Sequence, residues 1–183
     1  SLKDNMMGVT GDRNAFVVKD LFSQLKHLYP TKTKDADDIA ASIRHFVGDR
    51  TACKLYSDNS GEIEKALKAC NIMSHTALPG EPRNNAVAER TNGDILEGAR
   101  AALMRAGLPS GYGPCAAEHY CMRENVHFTQ DKESPWFKTH GVEFHGQHIP
   151  FGAKVLFRPT DTIGVHKSKF DPQTLSGIFA GYE

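Results

Sequence analysis

From Ala86 to Ala106 the chain is rich in Ala, Leu, Glu and Arg, and Ile95, Ala99, Ala102 and Leu103 recur at helical spacing on one side. Gly107, then Leu108-Pro109, stops the pattern: a glycine can take the left-handed turn that ends a helix, and a proline cannot continue one. A helix with one apolar face must bury it against a second layer. Part of that layer is a second helix predicted over Pro114 to Val126, burying Ala116, Tyr120 and Cys121.

The other elements are shorter. Ala15 to Lys19 holds Phe16, Val17 and Val18, and Leu25 to Tyr29 follows after a brief connection, which predicts a hairpin or meander. Asp35 to Val47 places Ile39, Ile43, Phe46 and Val47 on one helical face, with Thr33 or Asp35 available as the cap. A strand over Cys53 to Ser57 ends at the turn-forming Asp58-Asn59-Ser60-Gly61, and a second short strand is predicted over Ile72 to Leu78. Strand and helix alternate through the first 130 residues, so the fold class is α/β. Beyond Gln130 the texture turns to Gly, Pro and His with short apolar pieces at Lys154 to Phe157 and Ser176 to Ala180. This divides the chain into a core over 1–130 and a small β-rich extension over 131–183.

With 22 Lys and Arg against 22 Asp and Glu, the 183 residues carry a formal net charge of zero, so any nucleic-acid binding must be local and not the work of a global basic field. Four cysteines, at 53, 70, 115 and 121, form no CxxC pair and suggest neither a zinc ribbon nor a disulfide framework; reduced, intracellular thiols are the expectation. The opening Ser-Leu-Lys-Asp has neither an initiator Met nor a signal-peptide pattern, and reads as a fragment or processed piece.

Two acids stand where chemistry is possible. Asp58 closes a strand at the carboxyl end of a sheet, although Asp-Asn-Ser-Gly is also plain turn chemistry. A calcium loop is excluded, since Ile63 holds the position that needs Gly and Ala69 the one that needs Glu. Glu89 falls in the first turn of the long helix, behind Asn85 as a possible cap, and a carboxylate there is already favoured by the helix terminus. Together they bracket a strand, a loop and a helix start that could bring both to one sheet end. Two bare carboxylates about 4 Å apart repel by roughly 4 kcal/mol at an effective dielectric near 20, so a divalent cation or a raised pKa must accompany the pairing. Hard oxygen ligands of this kind suit metal-assisted phosphoryl transfer.

Three ordered segments carry a resemblance: Tyr56-Ser57-Asp58-Asn59-Ser60-Gly61-Glu62, Asn85-Ala86-Val87-Ala88-Glu89-Arg90-Thr91-Asn92, and Ala99-Arg100-Ala101-Ala102-Leu103-Met104-Arg105-Ala106-Gly107-Leu108-Pro109. They are similar to the integrase catalytic core of copia-type LTR retrotransposons. Phe16 to Ser23 with Tyr29-Pro30-Thr31-Lys32 resembles the second strand and following turn of that core. Ser134-Pro135-Trp136-Phe137, Phe151 to Val155 and Lys169 to Tyr182 resemble the segment after it. The resemblance implies an RNase H-like mixed sheet flanked by helices and a DDE triad holding Mg²⁺ or Mn²⁺. It further implies processing and joining of element DNA ends to target DNA by a multimer, in a nuclear or cytoplasmic retroelement particle. Asp58 matches the second acid and Glu89 the third; Asn85 and Arg90 match flanking positions expected to support the site or contact DNA. The loop from Pro79 to Asn84 is expected to be mobile without substrate and to close over DNA.

The chain departs from the family in three ways. The first acid's register falls at or just before Ser1, and Asp4, the nearest candidate inside, lacks an apolar strand around it. Ser60 and Ile63 replace a Gly and a Phe, and the spacing between the two acids is shortened. The upstream zinc module is missing. A rival reading is therefore a non-enzymatic nucleic-acid-binding relic of the same fold. Asp20 matches a non-triad aspartate and reads as a turn former. His140, His145 and His148 read as solvated or structural. Cys115, His119 and Cys121 are spaced for packing, not for a thiol enzyme, and the slight basic excess of Lys138 to Lys169 reads as ordinary surface.

Overall fold

A computed structural model describes residues 8–52, 54–57, 60–76, 86–128, 133–159 and 173–182. The expected hairpin is present: β1 (Asn14–Lys19) pairs antiparallel with β2 (Lys26–Thr31), Phe16 opposite Tyr29 and Val18 opposite His27. Asp20 builds the turn between them. Its carboxylate accepts bonds from the Phe22 amide (3.2 Å), the Ser23 amide (3.1 Å) and the Ser23 hydroxyl (2.6 Å). Partial burial works to raise its pKa, but these bonds, Ser23's foremost, hold the carboxyl below its ordinary value.

α1 (Ala36–Val47) follows, burying Ile39, Ala40 and Ile43. Asp35 is its N-cap by position, yet its side chain makes no capping bond, and Thr33 donates instead to Asp38 at 2.8 Å. β3 (Lys54–Ser57) and β4 (Met73–Thr76) pair in parallel, as a helix-linked crossover allows. That helix, α2 (Gly61–Ala69), is absent from the reading of the sequence, which passes from the Asp58 turn to the next strand. Ile63, Ala66, Leu67 and Cys70 lie three, four and seven residues apart, and Ala66 and Leu67 are fully buried against Ile39, Ala40, Ile43 and Ile72. Phe16 of β1 and Leu55 of β3 pack on this same cluster.

α3 covers Ala86–Ala106, the bounds set by its apolar stripe and its stop; Gly107 takes φ +66°. A 3-10 turn, Ser110–Tyr112, leads into α4 (Gly113–Val126). Ile95 and Ala99 of α3 interlock with Ala116, Ala117, Tyr120 and Cys121 of α4, with Leu28 of β2 and with Phe151. Gly98 lets the two helices close, because a β-carbon there would enter the Tyr120 ring. α5 (Pro135–His140) was not foreseen either; Ser134 caps it by accepting from the Phe137 amide at 3.0 Å, and Gly141 ends it. β5 (Lys154–Phe157) and β6 (Leu175–Ile178) pair antiparallel. Among the described residues the strands thus form three two-stranded sheets, with no hydrogen-bonded pairing between β1 and β3. Among the described residues no helix is long and apolar enough to cross a membrane.

Candidate active site

β3 ends at Ser57, paired in register with Thr76, the last residue of β4, so both parallel strands deliver the chain to the same sheet edge. Residue 58 comes next in sequence after that edge, and α3 begins ten residues after Thr76 on the other branch. Asp58, Asn85, Asp4 and the 79–84 loop lie outside the described residues. Glu89 stands in the first turn of α3 and is exposed, with no hydrogen bond or ion pair to any described residue. Arg90 beside it is exposed as well. Burial first, then the charge of Lys26, holds the Lys19 ammonium below its ordinary pKa; Asp94 acts in the opposite sense and Arg90 adds to the depression.

Residues the sequence reading did not single out fix α3 in place. The Lys26 ammonium lies 2.5 Å from the Asp94 carboxylate, whose other oxygen accepts from the Tyr120 hydroxyl at 2.7 Å. Lys26 is one of the few buried charges, at 8% exposed, and its ammonium also sits over the Tyr120 ring. Partial burial would raise the Asp94 pKa, but the bonds from Lys26 and Tyr120 outweigh it and keep the carboxyl low. Asn125 of α4 accepts from the Lys26 amide (2.9 Å) and donates to the Lys26 carbonyl (2.7 Å), pairing with β2 at its outer edge as a neighbouring strand would. A lysine within an apolar alternation was the one signal available for this network.

The side chains read as structural are packed in that way. Burial pushes the Cys121 thiol up to about 12 and raises that of Cys115, the opposite of what a nucleophile requires. His119 bonds the Ile149 carbonyl at 2.9 Å and meets Phe151, Phe179 and Tyr182 ring to ring. His140 stacks on Trp136, with ring centroids 4.1 Å apart. Among the described residues no group of three or more His, Cys, Asp or Glu could hold a metal ion.

No family model matches the chain. A Retrovirus-related Pol polyprotein from transposon TNT 1-94 of Nicotiana tabacum is 33% identical over 168 residues, an alignment covering 85% of this chain. The chain spans 12% of that polyprotein's length. The catalytic core domain of BIV integrase superposes with a TM-score of 0.50 at 21% identity, covering 67% of this chain and 82% of that one. The HTLV-2 integrase catalytic core domain in complex with magnesium gives 0.50 at 20% identity, over 67% of this chain and 81% of that one. A simian T-cell lymphotropic virus intasome chain gives 0.54 at 17% identity, over 88% of this chain and 60% of that one. The fold is therefore the RNase H-like fold of integrase catalytic cores. Within that class the ordered motifs and the tobacco relative agree, and the chain is similar to the integrase cores of copia-type retrotransposons.

Proposed function

We propose that this chain is the catalytic core of a retrotransposon integrase, acting in metal-dependent polynucleotidyl transfer that joins element DNA ends to target DNA. The observation that carries the reading is the exposed Glu89 at the start of α3, in a chain whose β3 ends one residue before Asp58. Asp58 and Glu89 would hold Mg²⁺ or Mn²⁺, with the first acid of the triad supplied by Asp4 or from before Ser1. Their donor set fits such an ion, since carboxylate oxygens are the ligands hard cations take. Held there, such ions would supply Lewis-acid polarisation of a phosphodiester and stabilise the charge that develops on the attacking and departing oxygens of its displacement. The chain's own contribution is positioning. The Lys26, Asp94 and Tyr120 network fixes α3 at Asp94, five residues beyond Glu89 on the same helix. Arg90 and Asn85 are proposed to contact DNA phosphates near the carboxylates.

In a chain extended N-terminally to include the first acid, Asp58→Asn should abolish strand transfer of an element-end duplex. Unchanged activity would sink the proposal. The relic reading is separated by titration calorimetry with Mn²⁺: two ions bound support an enzyme site, and weak or no binding by the extended chain supports the relic.

A further inference from the structure

On the side of α3 turned away from Glu89, a cavity of about 290 Å³ opens between α3, α4 and the segment that follows α5. Gly98 is nine residues beyond Glu89, roughly half a turn round the helix and ~14 Å along it, so the cavity and the Glu89 carboxylate do not share a face of α3. Gly98 and Ala102 form the α3 side, and Tyr120, Phe144, Phe151 and Tyr182 supply aromatic walls. The walls are tied in place. The Tyr182 hydroxyl accepts from the Ile149 amide at 2.9 Å and donates to the Gln147 carbonyl at 2.5 Å, and Tyr182 meets Phe144 edge to face.

The charge in this cavity is one-sided. Arg105 and Arg123 line it, with His148, and no Asp or Glu does among the described residues, although the whole chain is neutral. Arg105 has no ion-pair partner among the described residues. Arg123, itself exposed, lies over the Tyr120 ring and pairs with its half-buried sequence neighbour Glu124 at 2.8 Å, a contact of the kind that solvent weakens and an incoming anion can displace. Aromatic walls want a planar π-face, and guanidinium groups that are unpaired or only weakly paired want a phosphate or carboxylate.

We infer that this cavity is a nucleotide site, taking one unpaired base against the Tyr182 and Phe144 rings with its phosphate on Arg105 and Arg123. A cavity of this size admits a single base with its sugar and not a base pair, so the ligand is single-stranded nucleic acid or a free mononucleotide. An acidic peptide is disfavoured, because a carboxylate side chain leaves the aromatic walls unfilled. The inference stands on the cavity's own lining and holds whether or not Asp58 and Glu89 form an enzyme site.

The test is fluorescence anisotropy of a labelled oligothymidylate of about six nucleotides with the 183-residue chain in EDTA, with dTMP as competitor. Arg105→Glu, on an exposed helix position, should weaken binding by about tenfold or more, and Tyr182→Leu by a similar factor, since a stacked base contributes on that scale. Asp37→Asn, exposed on α1, should leave the affinity unchanged, and binding in EDTA separates this site from the metal-dependent integrase reading. Photocross-linking of a bromodeoxyuridine oligomer should map to peptides containing Phe144 or Tyr182. Tighter binding of the oligomer than of dTMP identifies a strand, and equal binding a mononucleotide. No binding in EDTA, indifference to Arg105→Glu, cross-links elsewhere, or displacement by a phosphotyrosine peptide but not by dTMP would each overturn the inference.

Discussion

Replacing Asn125 with Ala tests whether α4 holds the outer strand by a mimicry of strand pairing. The Asn125 side chain is 5% exposed and satisfies both backbone groups of Lys26, at 2.9 and 2.7 Å. Truncation leaves a buried N–H and C=O without partners, each costing about 1 to 3 kcal/mol before water or relaxation recovers part of it. A loss of about 2 to 4 kcal/mol is expected, a large share of the ~5 to 15 kcal/mol that stabilises a typical domain. For a chain of this size it should lower Tm by roughly 5 to 15 °C. Urea unfolding followed by circular dichroism should show the midpoint fall with the slope unchanged, which marks a change in stability and not in the unfolded state. Asn125→Asp keeps only the acceptor and should also destabilise. Asn92→Ala, exposed on α3, should stay within about 0.5 kcal/mol. An Asn125→Ala variant as stable as its parent would refute the reasoning and make the contact ornamental.

Gly98→Ala should destabilise by about 1 to 3 kcal/mol, because the added methyl meets the Tyr120 ring, whereas Gly93→Ala, with open space around it, should gain up to ~1 kcal/mol of helix propensity; paired thermal melts read the difference, and equal shifts would contradict the packing. Burial first, then Asp12, pushes the Glu118 carboxyl up to about 7. Its folded pKa lies above the unfolded one, so its contribution is whole below about pH 4.5 and is lost as pH rises through about 7; Glu118→Gln should therefore gain on the parent across that window. His27 runs the other way. Burial, then His45, lowers it to about 4, so stability is lost as pH falls from about 6.5 toward 4, and His27→Phe melts should fall less steeply there than the parent's.

The long elements were legible because their patterns are long and punctuated. α3 runs from Ala86 to the residue before Gly107, and the first hairpin shows alternating apolar positions with Asp20 at its turn. α2 was not legible, since its nine residues follow a tetrapeptide with strong turn chemistry; the spacing of Ile63, Ala66, Leu67 and Cys70 is visible only once the turn is allowed to serve as a helix start. At the site, Glu89 could be read from ordered motifs. The network behind it could not. Lys26 meets Asp94 across 68 positions and Asn125 across 99, and periodicity within a window says nothing about partners that far apart.

A triad needs a third acid, and neither Asp94 nor the pair Asp12 and Glu118 provides it. Asp94 is committed to Lys26 and Tyr120. Asp12 and Glu118 influence each other at the start of α4, which follows the far end of α3 after a short connection. Seventeen residues of helix separate Glu89 from Ala106, about 25 Å, and Glu118, only five residues into α4, recovers roughly 8 Å of that. Ligands to one ion cluster must lie within a few ångströms of it, so this pair is too distant. The sheet suggests where the missing acid belongs. β1 and β3 each have an unpaired edge among the described residues, while Phe16 and Leu55 rest on one core. One strand between them would pair with both, and an acid on it would stand beside Ser57 and Asp58. Completing the sheet and completing the site are then one event. A chain extended before Ser1 by that strand should show a higher Tm, slowed amide exchange in β1 and a second bound Mn²⁺ together; stabilisation without the ion, or the ion without stabilisation, would refute the coupling.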